Sequence, residues 1–296
     1  MSVNIPEQNL LYKEINSEKK LCVSYSQMET FLQCPLKWYK TYVEGNRIEK
    51  PQEALIYGGI IHETLEYFFK NNCSLDGKEM SAKFNSLSES VGGIPFDTPE
   101  SAIESGRDAA KLFEWVIGLY KHRIPKNEFE KVLLNMKPVG VEEPFVLPYK
   151  LPIISIINGT KETHVNITGS IDLHMSTSDG KYRATIDWKS GRKMFQPAKV
   201  RDNLQLVIYA MYIMRHYNQG LPARNYWFHT RFLEPQEKKV KREDLPCYIE
   251  KMNEVFMKMY NFDSKENQRA CPTPLCWWCE HKENCKHKSN YTPKEK

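Results

Sequence analysis

The stretch Ile171-Asp172-Leu173, followed through a turn by Ala184-Thr185-Ile186-Asp187-Trp188-Lys189, reads as two short paired strands. Before and within the first strand, Val165, Ile167, Ile171 and Leu173 are spaced by twos, so Asp172 faces the other side. In the second, Ala184, Ile186 and Trp188 share one face, and Asp187 and Lys189 share the opposite one. Pairing therefore sets a carboxylate from one strand against a carboxylate and an amine from its neighbour. Two carboxylates and a lysine held this way suit a divalent metal beside an anion.

Working outward, the 296 residues can bury a sizeable core, and 41% hydrophobic with 27% charged residues is ordinary for a globular chain. No apolar run approaches a membrane span, so no membrane association is expected. Residues 1–20 are polar and charged, unlike a signal peptide, which makes a cytoplasmic setting the expectation. The net charge of +5 is mildly basic and mixed along the chain, compatible with a local basic groove for a polyanion.

N-terminal to the opening stretch, Ser24 with Gln27, or equally Ser26 with Glu29, offers a capping box for a helix carrying Met28, Phe31 and Leu32, and Pro35 breaks it after Cys34. Cys34 then sits at a helix end, either as a small core hydrophobe or as a ligand. Gly58, Gly59 and the stripe Ile61, Leu65, Phe68, Phe69 predict another helix, with His62 and Glu66 on one face. Residues 71–98 are rich in Ser, Asn and Gly and read as an insertion or loop, and Thr98-Pro99-Glu100 starts a helix to about Arg123. Residues 139–149 read as a strand with Glu142 and Glu143 near its start. After Lys189, one helix is expected from Pro197 to about Tyr217, with Gln205 and Tyr209 four apart on one edge. A strand over 225–232, a polar connector over 234–244 and a last helix with Met252, Val255 and Phe256 follow. The order implies an α/β fold, a small mixed sheet flanked by helices.

Four of the eight cysteines fall between Cys271 and Cys285, which points to a metal or iron–sulfur site rather than disulfides. Spacing leaves two readings. Cys271, Cys276, Cys279 and Cys285 fit a local zinc site, with His281 and His287 in reserve; alternatively Cys276, Cys279 and Cys285 take a distant fourth thiolate, Cys34, at an iron–sulfur cluster.

Taken together, these elements resemble the RecB-like branch of the PD-(D/E)XK nucleases that carries an iron–sulfur cluster, the branch of the AddB nuclease domain and the CRISPR-adaptation exonucleases. The resemblance runs from Ser24 to Cys285 through Ser24-x-Ser26, Cys34-Pro35, Gly58-x3-His62-x3-Glu66, Gly169-x-Ile171-Asp172, Asp187-x-Lys189, Gln205-x3-Tyr209 and Cys276-x2-Cys279-x5-Cys285. Asp187 stands where many relatives have glutamate, and residues 71–123 map onto no motif.

The resemblance implies a restriction-endonuclease-like core over about 21–235 within one nuclease domain spanning 1–296. It leaves residues 71–123 as a helical insertion and about 245–290 as a C-terminal helix and cysteine clamp. It implies a 4Fe-4S cluster on Cys34, Cys276, Cys279 and Cys285, with zinc as the alternative. His62, Asp172, Asp187 and the Trp188 backbone carbonyl would hold Mg²⁺ or Mn²⁺, with Glu66 supporting His62 and Glu142 or Glu143 approaching through water. Lys189 would act on the attacking water and the phosphate, while Gln205 and Tyr209 would position the lysine or the strand. Arg192, Lys193, Lys199 and Arg201 are suited to phosphate contacts. The implied activity is DNA exonuclease, acting on single strands or ends in recombination, repair or CRISPR or phage DNA processing, with protein partners from those systems and in a bacterial, archaeal or viral setting. The rival is a catalytically idle DNA-binding subunit of the same fold.

Overall fold

In the computed structural model the described residues are 12–15, 18–47, 52–155, 159–217, 223–260 and 270–290; most of the polar lead-in and the end of the basic tail lie outside them. In chain order the elements are β1 (Tyr12–Ile15), β2 (Glu18–Ser24), α1 (Tyr25–Gln33), α2 (Pro35–Trp38) and a π turn (Tyr39–Val43). Then come α3 (Glu53–Lys70), α4 (Gly77–Ser90), α5 (Pro99–His122), α6 (Glu128–Asn135), β3 (Lys137–Ser155), β4 (Gly159–Ser176) and β5 (Arg183–Lys189). The chain continues through α7 (Pro197–Arg201), α8 (Gln205–His216), β6 (Ala223–His229), β7 (Glu234–Val240) and α9 (Leu245–Tyr260) to short turns at Pro274–Trp278 and Lys282–Asn284. The chain divides into two compact units: residues 51–145 with 170–245, and residues 1–50, 146–169 and 246–296.

The first of these holds the opening stretch. β4 and β5 pair antiparallel through Leu173↔Ile186 to Ser176↔Arg183, β5 and β6 run parallel, and β7 returns antiparallel on β6. A parallel step needs a crossover, and α7 and α8 supply it. The apolar face of β5, Ala184, Ile186 and Trp188, is buried against Ile61, Leu65, Phe68 and Phe69 of α3 and Leu112, Phe113 and Val116 of α5. Phe69 stacks on Trp188 with ring centroids 5.8 Å apart. Each such side chain contributes about 1.5–3 kcal/mol of burial, so this layer holds α3 on the sheet.

Three expectations are corrected. Residues 77–90, read as loop, form α4: Asp76 and Glu79 make a capping box, and Met80 and Phe84, four apart, turn toward the core. Its Ser and Asn residues only populate the outer side. The single helix expected after Pro197 is two, because Asn203 Oδ1 accepts from Leu206 N at 2.9 Å and starts α8 afresh. The polar connector over 234–244 contains β7, whose Lys238 and Val240 are buried while Glu234 and Lys239 are exposed; Pro235 suits such an outer strand. The caps expected at Ser24 and Thr98 form.

In the other unit β1 and β2 pair antiparallel, and Cys22–Ser24 of β2 runs parallel to Asn166–Thr168 of β4. Tyr149 of β3 reaches α9, its hydroxyl 2.6 Å from Asn253 Oδ1.

Candidate active site

The site forms where the β4–β5 ladder ends. Asp172 and Asp187 lie one step beyond the last pair, Leu173↔Ile186. There the Trp188 N–H donates to Asp172 Oδ2 at 2.7 Å instead of continuing the ladder. Both carboxylates are buried. Helix α3 brings His62 to them because its apolar stripe faces β5 and His62 lies at the edge of that stripe. The approach is close: a Cβ added at Gly58 would come within 2.8 Å of Ser190 Oγ.

His62 Nε2 lies 2.9 Å from the Trp188 carbonyl, which can only accept, so Nε2 carries the proton. Burial lowers the imidazole's pKa, so the ring is neutral and Nδ1 presents a lone pair 3.2 Å from Asp172 Oδ2. The Asp172 carboxyl is pushed well above its ordinary range, first by burial and then by the Asp187 charge. A shared proton can satisfy this contact, and a cation can replace it. His62, Glu142 and Asp172 each offer an atom within 4.8 Å of the others. Asp187 Oδ2 is buried and accepts no hydrogen bond, with the Lys189 ammonium as its ion-pair partner. Crowded carboxylate oxygens beside one neutral imidazole fit a hard divalent cation.

Lys189 is held from three sides. It pairs with Asp187, donates to Gln205 Oε1 at 3.3 Å and lies 5.5 Å from the Trp227 ring centre. The Trp227 indole N–H also donates to Gln205 Oε1, at 3.2 Å, which settles the amide's orientation because an indole only donates. Gln205 Nε2 is thereby aimed at Asp187 Oδ1, 2.7 Å away, and at the Tyr209 hydroxyl, 3.0 Å away. Tyr209 in turn lies 2.9 Å from the Ser170 carbonyl and 3.1 Å from Asp187 Oδ1. Gln205 and Tyr209 thus meet Asp187 and the lysine from α8.

Other expected residues fall differently. Glu66 pairs with Lys70 on its own helix; besides Asp172, the carboxylate that comes near His62 is Glu142. The two-glutamate sequence suggested such a group, but not that it would reach the ligand atoms themselves. Arg192 pairs with Glu104 and, at 2.6 Å, with Glu53, so its charge is already matched. Arg201 pairs with Asp202, Lys199 lies 4.1 Å from the Phe195 ring centre, and Lys193 is exposed. Trp227, Ser190 and Ser170 belong to the site's surroundings with no spacing signal to mark them, since β6 and the loops meet it only through the fold.

In the other unit, Cys34 ends α1 and Cys276, Cys279 and Cys285 lie in the C-terminal turns; all four are half-buried free thiols, while Cys271 is exposed. Burial pushes the Cys279 thiol's pKa up, and the nearby Cys34 adds to it. The segments are also tied by Thr41 Oγ1, 2.9 Å from both Glu280 Oε1 and His281 Nε2. Thiolates are soft ligands, and Cys34 and Cys279 interact across the two segments.

Among known proteins, one component of an ATP-dependent helicase/deoxyribonuclease from Alkaliphilus metalliredigens is 28% identical over 198 residues, 62% of this chain but only 17% of that protein. A crystal structure of a candidate exonuclease from Eubacterium rectale superposes with a TM-score of 0.45 at 12% identity, over 92% of this chain and 89% of that one. The sequence profile of the PD-(D/E)XK nuclease superfamily matches residues 22–286, a span that contains both aspartates, Lys189, His62 and the last cysteine. With two buried aspartates and a lysine at the end of adjacent strands, the chain belongs to the PD-(D/E)XK nuclease superfamily.

Proposed function

We propose that this protein is a metal-dependent deoxyribonuclease that acts on single-stranded DNA or DNA ends, as an exonuclease rather than an endonuclease. The observation that carries it is Asp172 and Asp187 buried together beside His62, with Lys189 fixed against them. A purely binding surface has no need to bury two carboxylates at this cost. Mg²⁺ or Mn²⁺, when bound, polarises the phosphate and lowers the pKa of a coordinated water. His62, Asp172 and Asp187, with the Trp188 carbonyl, would hold it. Lys189 then orients the attacking water and offsets charge on the scissile phosphate. Gln205 and Tyr209 keep Lys189 and Asp187 in register.

The relative's name supports DNA as substrate and a larger assembly of several chains as setting. In function we take residues 1–296 as one nuclease domain, with residues 71–123 as a helical insertion. Cys34, Cys276, Cys279 and Cys285 carry a structural 4Fe-4S cluster; the exposure of Cys271 favours Cys34 over a purely local zinc site.

Single-stranded DNA labelled at either end is incubated with the protein and Mn²⁺. Progressive shortening from one end is expected, and Lys189→Ala should lower kcat by about a hundred- to a thousandfold. Equal cleavage by wild type and variant, or none by either, refutes the reading; internal cuts refute the exonuclease part.

A further inference from the structure

We propose that a cavity at the end of the sheet away from the aspartates is a second binding site, and that its ligand is a nucleoside phosphate. The choice of ligand rests on the deoxyribonuclease reading above; the cavity itself does not. It holds about 650 Å³, within the range of small-ligand sites, about 300–1,000 Å³. It opens where β5 and β6 begin, at Arg183 and Ala223, and where β7 ends, at Val240. Asp187 and Lys189 lie at the other end of β5, about 20 Å along the strand.

Lys131, Arg183, Arg224, Lys239 and Lys241 line it against a single lining carboxylate, Glu128. Some of this charge is already matched: Arg224 donates to Glu237 at 2.7 and 3.2 Å, and Lys131 pairs with Glu128. Arg183 donates to His174 Nε2 at 3.2 Å and covers the Tyr217 ring, with no carboxylate at ion-pair distance among the described residues. Lys239 is exposed and likewise pairs with none of them. The Lys241 ammonium reaches Glu243 only at 3.9 Å, with both side chains in solvent. The strand register adds to the excess. Lys239 stands directly opposite Arg224, and Lys241, two residues on in extended backbone, turns to the same side. Like charges set opposite each other repel, and a bound anion relieves that repulsion. Beneath the cations, Val132, Met136, Ala223 and Val240 supply an apolar floor, and Tyr182, 55% exposed, joins them in the lining. A flat ring over an apolar floor suits a base, and unmatched ammonium groups suit its phosphate. A bare anion would use only the lysines, and an apolar ligand only the floor.

The test is calorimetric titration of the metal-free protein with deoxythymidine 5′-monophosphate, thymidine, inorganic phosphate and a short thymidine oligonucleotide. The monophosphate is expected to bind more tightly than thymidine or phosphate. Lys239→Glu combined with Lys241→Glu should weaken it about tenfold, and Tyr182→Ala about fivefold. All three side chains are exposed, so these variants keep the fold. The same charge reversal at Lys78 and Lys111, on α4 and α5, should leave binding unchanged. If the oligonucleotide weakens in step with the monophosphate, the site holds one nucleotide of a strand; if the monophosphate alone weakens, it holds the free nucleotide. No binding of the monophosphate, phosphate binding as tightly as the monophosphate, unchanged affinity in either variant, or an equal loss in the Lys78 and Lys111 control overturns the site. Mn²⁺-dependent cleavage is followed in parallel. Wild-type protein that cleaves DNA without this binding keeps the nuclease reading and loses the site; wild-type protein that binds the monophosphate but cleaves nothing keeps the site and loses the nuclease reading.

Discussion

Gln205 shows how one side chain sets the chemistry of its neighbours. Its carbonyl accepts from Trp227 and Lys189, so its amide must face Asp187 and Tyr209. Gln205→Leu leaves the Trp227 N–H unpaired and removes one of the three contacts that hold the lysine. We expect about 1–3 kcal/mol lost in urea unfolding and a fall in kcat larger than any rise in KM. His229 offers a pH test. It is fully buried, Nε2 bonds Gln236 at 2.7 Å, Nδ1 has no partner, and burial lowers its pKa below the ordinary 6.5. The folded state therefore binds fewer protons than the unfolded one. Stability is fully present above about 6.5 and declines as pH falls toward the folded value. His62 adds in the same direction and Asp172, with its raised pKa, in the opposite one. His229→Asn should thus flatten the pH dependence of the unfolding free energy relative to wild type; parallel curves would reject this.

Among the elements, two arginines near the end of β5 contrast. The Arg231 side chain is only 6% exposed, 2.7 Å from Asp108 and 2.8 Å from the Ser190 carbonyl, and its guanidinium lies over Tyr57. It joins α5 and α3 to the loop after the active strand. Arg231→Met strands the Asp108 charge and is expected to cost about 3 kcal/mol. Arg192 makes two ion pairs but is 42% exposed, and Arg192→Ala should cost under about 1 kcal/mol. Equal effects in chemical denaturation would contradict the burial argument. Helix α4 depends on its start: Asp76 accepts from the backbone of Lys78 and Glu79, and Asp76→Ala should cost about 1 kcal/mol.

For the whole molecule, the proposed cluster is tested by what it would join. Spanning Cys34 and Cys285, it would close a long loop and remove much unfolded-state freedom. Protein purified without oxygen is expected to hold iron and sulfide. Cys34→Ser should lose the iron and melt several degrees lower, while Cys271→Ser should keep both. Zinc without iron, or loss on Cys271→Ser alone, would favour the local site instead.

Much of this was legible along the chain because it is local. Alternation around Ile171 and Ile186 marks the strands and sets Asp172 apart from the core; the stripe from Ile61 to Phe69 marks α3; Ser24 and Thr98 mark helix starts. Each depends on spacing within one element, which sequence carries directly. Helix α4 was hidden because two apolar residues four apart hold it while polar ones fill its outer side. Only the tertiary structure showed that Glu66 turns to Lys70 and Glu142 to His62, and that Arg192 is already neutralised. Only it showed a left-handed backbone at Glu142. The physical reason is that partner choice among charges depends on which helices lie across from a strand end, and on a single backbone angle, neither of which any local pattern encodes. The chemistry of Asp172, Asp187 and Lys189 belongs to the sequence; the company they keep belongs to the fold.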